Sequence, residues 1–235
     1  GTASLSIREK LQKLRMSKAI KTQSIWTMDL LNLLDQILSP QNDKEDVTNF
    51  LSDTQKRCVS LLLCSNKLGV DDSHRALRYY QRAFRTDQWR VKKLFDLARR
   101  KGLPMTRVTN MELDFVVGLV SREDVIAMVL IDNNVLSDDL LGERIISYDY
   151  GARGDSFAGH YILLCGISTE KKHLDVAKGG EHENDDSGFC FVVKNPGSPN
   201  AVDFVMPILF HRSWKANGTD NDIIFIALHD HEHGH

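Results

Sequence analysis

The stretch that decides the fold is GHYILLCGIS, residues 159–168, an apolar run that opens with a glycine and a histidine. Continuous apolar runs of this length are typical of strands that are buried in a sheet. The ring of His160 has free space beside it, because Gly159 carries no side chain. His160 is therefore a candidate catalytic base at the edge of a cleft, and the alternative is a hydrogen-bonded strand residue without a chemical role.

The other apolar runs of the chain predict the rest of the architecture. Because helical patterns dominate the first half and strands the second, we expect an α+β fold around a central, mostly antiparallel sheet. The predicted strands lie at 58–65, 103–109, 125–132, 188–196 and 222–228. The predicted helices cover 26–38, 71–84, 87–102 and 207–216, and another begins near Asn110. Thr27 is expected to cap the first of these helices, and Gly102 to end the third.

The polar segments suggest how the chain is organised. We expect an N-terminal helical segment at 1–23, whose first three residues match a cloning remnant, and one domain at 24–228. Residues 39–55 and 169–188 are polar and are interpreted as a loop and a hairpin insertion. The His-rich residues 229–235 are expected to form a disordered tail rather than a metal site.

Composition and charge narrow the class of protein. The chain has 235 residues and a formal net charge of −2, so no global basic field favours a nucleic-acid partner. Its longest apolar run, 125–131, is too short to span a bilayer, and we expect no membrane partner. The four cysteines form no CxxC pair, which indicates reduced thiols in a cytoplasmic or nuclear protein.

A polar residue at the end of a second strand gives His160 a candidate partner. The run FCFVVKNP ends in Asn195, which a proline follows. Cysteine hydrolases of the papain type use a histidine to deprotonate the cysteine and an Asn or Asp to orient the ring. The alternative is that Asn195 only forms a turn. No matching nucleophile is visible, because all four cysteines lie in strand-like runs rather than at the start of a helix.

Six segments of the chain, in order, resemble the family of guanylyl cyclase domain-containing proteins. They are SIWTMDLLNLL, CSNKLGVD, YYQRAFRTDQWRVKKLF, AMVLIDNNVL, GHYILLCGIS and NGTDNDIIFIAL. The similarity runs from about Ser24 to Leu228. That family is itself similar to bacteriocin-processing cysteine peptidases, so the resemblance implies a papain-like fold.

The resemblance also assigns roles and exposes a gap. It places His160 on the family's histidine and Asn195 on its Asn or Asp. The family carries its nucleophile in a Trp-Asp-Cys-Gly motif on a helix upstream of the segment that matches SIWTMDL, with a glutamine shortly before it. Residues 1–23 contain no counterpart of either. Two expectations stay open: the chain begins after the nucleophile helix, or this member has lost it.

Three functions follow from these observations. The first is a papain-like cysteine hydrolase site, incomplete in this chain and needing no cofactor, that acts on a peptide or protein. The second is a metal-dependent GTP cyclase producing cyclic GMP, in which Asp220 and Asp222 would hold Mg²⁺ or Mn²⁺. No glycine-rich loop followed by lysine is present to bind the triphosphate.

The third function is a non-catalytic module that binds a peptide or protein in the cleft at His160. If the nucleophile helix is absent, the surface it would cover should be exposed, or filled by a segment swapped from a second copy in a dimer. A separate basic segment, RVKKLFDLARRK at 90–101, is expected to form an amphipathic helix with a solvated basic face, which a phosphate or an acidic partner could contact.

Overall fold

A mixed sheet of seven strands lies at the centre of the computed structural model, which describes residues 25–38, 58–81, 84–140, 157–178 and 187–229. The strands are β1 (Cys58–Ser65), β2 (Met105–Arg107), β3 (Val125–Asp132), β4 (Gly159–Ser168), β5 (Cys190–Lys194), β6 (Asp203–Val205) and β7 (Ile223–His229). They lie in the order β2-β1-β7-β3-β4-β5-β6. The β1–β2 pair is parallel and the other neighbouring pairs are antiparallel. The predicted α+β class and mostly antiparallel sheet are confirmed.

Helices cover both faces of this sheet. In the described residues they are α1 (Thr27–Leu38), α2 (Arg78–Gln81), α3 (Phe84–Arg100), α4 (Leu113–Val120), α5 (Asn133–Leu140), α6 (Lys171–Lys178) and α7 (Pro207–Trp214). A 3₁₀ turn at Asp72–Ala76 precedes α2.

The last strand of the chain, β7, runs through the middle of the sheet between β1 and β3. Its first four residues are all buried. Because side chains alternate along a strand, Ile223 and Phe225 enter one hydrophobic core while Ile224 and Ile226 enter the other. The strand therefore has no polar face, which explains why its sequence is an unbroken apolar run.

The two cores define two faces of the sheet. On the face that we call the α7 face, side chains of α4, α5 and α7 pack against the strands; they include Val116, Val120, Leu136, Phe210 and Trp214. On the opposite face, called the α1 face, α1 and α3 contribute Met28, Leu31, Phe84, Val91 and Phe95. Each polar side chain on a strand can thus be assigned to one face from its position in the alternation.

The start of α1 differs from its prediction. The backbone N–H of Trp26 donates to Asp29 Oδ2 over 2.9 Å, so Asp29 caps this end of the helix. The expectation that Thr27 is the cap is wrong, because its hydroxyl bonds to side chains of the sheet instead. Asp29 also contacts Arg90 of α3, which in turn bonds to the buried Asp87, and this ion pair network ties α1 to α3.

Strands were more predictable than the segments between them. All six predicted strands form, although only Met105–Arg107 pairs in the second of them. The predicted hairpin insertion at 169–188 contains α6, and its residues 179–186 lie outside the described residues. The predicted helix at 71–84 is divided into a 3₁₀ turn and α2. The predicted tail at 229–235 is wrong at its first residue, since His229 ends β7; the expectations for 230–235, 1–23 and 39–55 lie outside the described residues.

One glycine before β7 allows a close approach that a larger residue cannot make. Gly218 has a φ of +103°, and a Cβ there would lie 2.8 Å from Leu77 Cδ1 and 3.0 Å from Phe157 Cγ. We expect Gly218→Ala to lower the free energy of unfolding by roughly 2–3 kcal/mol, through backbone strain and overpacking. Urea denaturation measures the change.

The matched control for this prediction is Gly118→Ala in the exposed middle of α4, where a Cβ meets nothing within 4 Å. Alanine should stabilise that helix by about 0.5–1 kcal/mol. Equal effects of the two substitutions would contradict the packing argument.

Candidate active site

The structure brings the two predicted site residues on the α7 face into direct contact. His160 is the second residue of β4, and Asn195 follows the last residue of β5. The His160 Nε2 and Asn195 Oδ1 atoms are 2.8 Å apart. The neighbouring-strand pairing of β4 and β5 creates this contact, since Leu163 is opposite Lys194 in the register. The catalytic role of the two residues stays a prediction.

A second hydrogen bond fixes which nitrogen of His160 carries the proton. The backbone N–H of Gly197 donates to Asn195 Oδ1 over 2.9 Å. A backbone N–H is always a donor, so the amide atom that faces His160 is the oxygen. His160 must then donate through Nε2–H, which leaves Nδ1 as the unprotonated nitrogen in the neutral ring.

The unprotonated nitrogen is available for chemistry. Among the described residues, His160 Nδ1 makes no hydrogen bond, and the ring is only half-buried. An imidazole whose Nε2–H is held by an amide oxygen and whose Nδ1 is open can accept a proton from a nucleophile. The geometry therefore matches what a general base with an orienting partner requires.

The backbone around His160 is held from the neighbouring strand. Ile131 of β3 is opposite His160 in the register. The next residue, Asp132, is buried and its Oδ1 accepts hydrogen bonds from the backbone N–H groups of Ala158 and Asn134, each at 3.1 Å. The carboxylate thus fixes the chain immediately before β4 and caps the start of α5 at the same time.

The described thiols do not supply an activated nucleophile. Burial raises the pKa of Cys64 to about 11 and also raises the pKa of Cys165 and Cys190. A catalytic cysteine has the opposite property, because the thiolate is the reactive form. Cys58, the fourth cysteine of the chain, is the first residue of β1, where it is paired in the register with His229. Among the described residues, Cys64, Cys165 and Cys190 are free cysteines, and Cys64 and Cys190 are buried. The reduced state of the thiols stays a prediction.

The predicted carboxylate pair lies on the opposite face of the sheet. Asp222 immediately precedes β7, and its carboxyl accepts a short hydrogen bond from the Thr27 hydroxyl at the start of α1. The same hydroxyl is 3.0 Å from the Tyr161 hydroxyl of β4. Tyr161 and His160 are consecutive on β4, so their side chains point to opposite faces. The Asp220–Asp222 pair and the His160–Asn195 pair are therefore separate sites.

The turn that carries the two aspartates is unusual in its backbone and its charge. Asp220 and Asn221 both have left-handed φ values, 50° and 52°. Asp220 Oδ1 is 3.3 Å from Nε2 of the buried His74. Burial, followed by the charge of Asp220, raises the pKa of Asp222 to about 7, while the hydroxyls of Ser65 and Thr27 act in the opposite direction.

These two carboxylates fit a two-carboxylate metal site poorly. Asp220 pairs with His74, and Asp222 is bonded to hydroxyl groups in a position where burial favours its protonated form. In the described ranges, no group of three or more His, Cys, Asp or Glu side chains is placed to hold a metal ion. The neighbouring pocket has about 290 Å³ of empty space, part of it open to solvent, and Trp26, Ser65 and Lys67 contribute to its lining.

Comparison with known proteins identifies the family. The sequence profile of the guanylylate cyclase family matches residues 3–226. The chain belongs to the guanylylate cyclase family. A curated relative, guanylyl cyclase 1 of Arabidopsis thaliana, is 22% identical over 213 residues, which cover 91% of this chain and 64% of that protein. The chain thus spans less than two thirds of the length of this relative.

No solved structure matches this chain. None of the described helices of this guanylylate cyclase family member is long and apolar enough to cross a membrane.

Two residues that the sequence did not single out, Ser65 and Tyr161, help to connect α1 to the sheet in this family member. Together with Thr27 they supply the hydroxyls around Asp222 and Asp220. The alternation along β4 could have placed Tyr161 on the face opposite His160, but no local pattern indicates that it meets α1. The 134 residues that separate Thr27 from Tyr161 make this a contact of the fold.

The tautomer of His160 can be tested directly. Asn195→Ala removes the acceptor for Nε2–H, so the neutral ring should change from the single Nε2–H tautomer to a mixture. Nitrogen-15 chemical shifts of the histidine side chains measure this. Asn195→Asp is the matched control, because it keeps an oxygen acceptor and should keep the tautomer. A single Nε2–H tautomer in the alanine variant would contradict the assignment.

The buried carboxyl of Asp222 predicts a pH dependence of stability. The native carboxyl holds its proton up to about pH 7, whereas an unfolded aspartate loses it near pH 3.9. Between these values the native state binds more protons, so stability falls as the pH rises and is constant above about 7. The total loss is up to about 4 kcal/mol, at roughly 1.4 kcal/mol per pH unit.

Urea unfolding at pH 5 and pH 8 measures this effect. Asp222→Asn removes the titrating group and should reduce the loss between the two pH values by roughly 2–3 kcal/mol. Asp114→Asn, at an exposed carboxyl of α4, is the control and should leave the loss as in the wild type. The same loss in Asp222→Asn as in the wild type would show that another group holds the proton.

Proposed function

We propose that His160 and Asn195 are the base and the orienting residue of a papain-like cysteine hydrolase site. The observation that carries this proposal is the 2.8 Å contact between Nε2 and Oδ1, with the Gly197 N–H fixing the amide orientation. The α+β architecture, with the histidine at the start of a central strand, is compatible with a papain-like fold. The proposed substrate is a peptide or protein, and the proposed location is the cytoplasm or nucleus.

The proposed reaction uses the open nitrogen of His160. The proton of a cysteine thiol moves to Nδ1, and the thiolate sulfur bonds to the carbonyl carbon of the substrate. As the C–N bond breaks, the leaving amine takes the proton from Nδ1. Water then attacks the thioester, giving its proton to Nδ1 and releasing the acid, while the thiolate recovers a proton. Asn195 holds the ring in place in each step.

The cysteine in this scheme is not one of those described on the strands of the sheet. The raised pKa values of Cys64, Cys165 and Cys190 oppose thiolate formation. The proposal therefore requires a cysteine other than these, and a second copy of this chain would not add one, since it carries the same four. Without such a cysteine, the site contains the base and its orienting residue but no nucleophile.

The competing function is GTP cyclisation, which the name of the Arabidopsis relative suggests. A metal would supply charge neutralisation at the triphosphate and activation of the 3′-hydroxyl. Asp220 and Asp222 are the candidate ligands, but the raised pKa of Asp222 and the His74–Asp220 pair do not favour this use. The hydrolase proposal therefore has better support from the geometry.

A cysteine-directed probe tests the hydrolase proposal. The natural protein that contains this chain is incubated with a peptidyl acyloxymethyl ketone. This probe alkylates a cysteine when a neighbouring base has converted its thiol to the thiolate. We expect labelling in the wild type, a rate about 100-fold lower in His160→Gln, and an intermediate loss in Asn195→Ala. His173→Gln is the matched control, since this half-buried histidine of α6 bonds to Ser168 Oγ at the end of β4, and the variant should label at the wild-type rate.

Cyclic GMP formation, measured by mass in the same samples with GTP and Mg²⁺ or Mn²⁺, distinguishes the alternatives. Turnover that Asp222→Asn abolishes and His160→Gln does not would replace the hydrolase proposal with the cyclase. If the protein shows no labelling and no cyclic GMP formation, the hydrolase and the cyclase proposals are both refuted, and a non-catalytic binding module remains. Labelling that is unaffected by His160→Gln would refute the role of the histidine.

A further inference from the structure

A basic face with an exposed tryptophan lies on α3, away from both polar sites. The apolar side of this helix, with Phe84, Val91 and Phe95, is buried in the core on the α1 face. Its opposite side is exposed and carries Arg85, Trp89, Lys92, Lys93, Asp96, Arg99 and Arg100. These seven residues, which we call the α3 basic face, recur at spacings of three and four and therefore share one side of the helix.

Most of the charge on the α3 basic face is uncompensated. Asp96, its single acid, pairs with Arg99 at 3.1 Å. In the part of the chain that the structure describes, Arg85, Lys92, Lys93 and Arg100 form no ion pair. Elsewhere on α3 and just beyond it, by contrast, Arg90 and Lys101 are both paired with aspartates. Within the described residues, four cations without a carboxylate partner thus remain in a row along about 22 Å of helix, on a chain whose net charge is −2.

Trp89 stands within this row and is 64% exposed. The Lys93 Nζ atom lies 3.5 Å from the centroid of its ring, a cation–π contact. The other tryptophans, Trp26 and Trp214, are buried. A large aromatic side chain that is held rigidly on a helix and flanked by cations is the type of residue that anchors protein interfaces.

We propose that the α3 basic face is a docking surface for an acidic segment of a partner protein, which lies along the helix and covers Trp89. The straight row of cations suits the carboxylates of one segment. A single exposed ring offers little apolar area for insertion into a lipid surface. A nucleic acid would meet repulsion from the remaining, net acidic surface. The proposal is independent of the chemistry at His160.

The binding measurement uses an unstructured acidic peptide of about 15 residues with the repeat Glu-Glu-Leu, long enough to lie along α3. Its fluorescein anisotropy is titrated with the full chain. We expect saturable binding that weakens as salt is added. Binding should also protect tryptophan emission from acrylamide quenching, because Trp89 is the exposed tryptophan.

Variants separate specific docking from general attraction of charges. Lys92→Glu with Lys93→Glu should weaken binding at least 10-fold, and Trp89→Ala, which keeps all the charges, about 5-fold. The matched control is Lys171→Glu with Lys172→Glu, an exposed adjacent pair on α6, which should change the affinity less than 2-fold.

Three results would overturn the proposal. The first is an equal loss in the α6 control, which would show that only net charge matters. The second is an unchanged affinity in Trp89→Ala. The third is tighter binding, dependent on Lys92 and Lys93, to phosphatidylserine-containing vesicles or to a single-stranded oligonucleotide, which would assign the face to a membrane or to nucleic acid instead.

Discussion

The antiparallel pairing of β7 with both β1 and β3 is the constraint on which the rest of the structure depends. β7 is the last described strand of the chain, yet it occupies the middle of the sheet, so the two parts of the sheet join only when this C-terminal segment is in place. Its buried residues enter both cores, and fully burying each such side chain contributes about 1.5–3 kcal/mol. The turn that leads into β7 is compact: Gly218 has a positive φ, and Asp220 and Asn221 have left-handed conformations.

Alternation along β4 then determines where chemistry can occur. His160 faces the α7 side, where β5 ends and presents Asn195, whereas Tyr161 faces the α1 side and meets Thr27. The start of α1 is consequently bonded to Asp222 and Tyr161 on the face opposite His160. A papain-like reaction needs a nucleophile on the same face as the base. In this fold α1 cannot supply one, whatever residue stands at its first turn.

The sequence predicted those features that follow from local pattern. Apolar runs located the strands because β1, β3 and β7 are buried on both faces, and a histidine and an asparagine at strand ends located the proposed site because neighbouring strands bring their ends together. Local pattern failed where long-range contacts decide. Thr27 looks like a helix cap, but its hydroxyl is used by Asp222, and Asp29 caps the helix instead. The polar composition of 169–188 indicates a hairpin insertion, yet Ala177 of α6 packs with Cys190 and Met206.

The two polar sites differ in whether their functional groups already have hydrogen-bond partners, and this difference bears on which reaction the chain could support. At His160 two hydrogen bonds converge on the oxygen of Asn195: the Gly197 N–H donates to it and orients the amide, and the Nε2–H of the ring donates to it and leaves Nδ1 open. At Asp222 the hydroxyls of Thr27 and Ser65 already occupy the carboxyl, and burial holds its pKa near 7. A group that binds Mg²⁺ must be ionised and must give up such partners, at a cost in free energy. The carboxylates are thus engaged in joining α1 to the sheet, whereas the histidine keeps an open nitrogen. The geometry of the described residues therefore supports the proposed acyl transfer at His160 better than a metal-dependent cyclisation at Asp222.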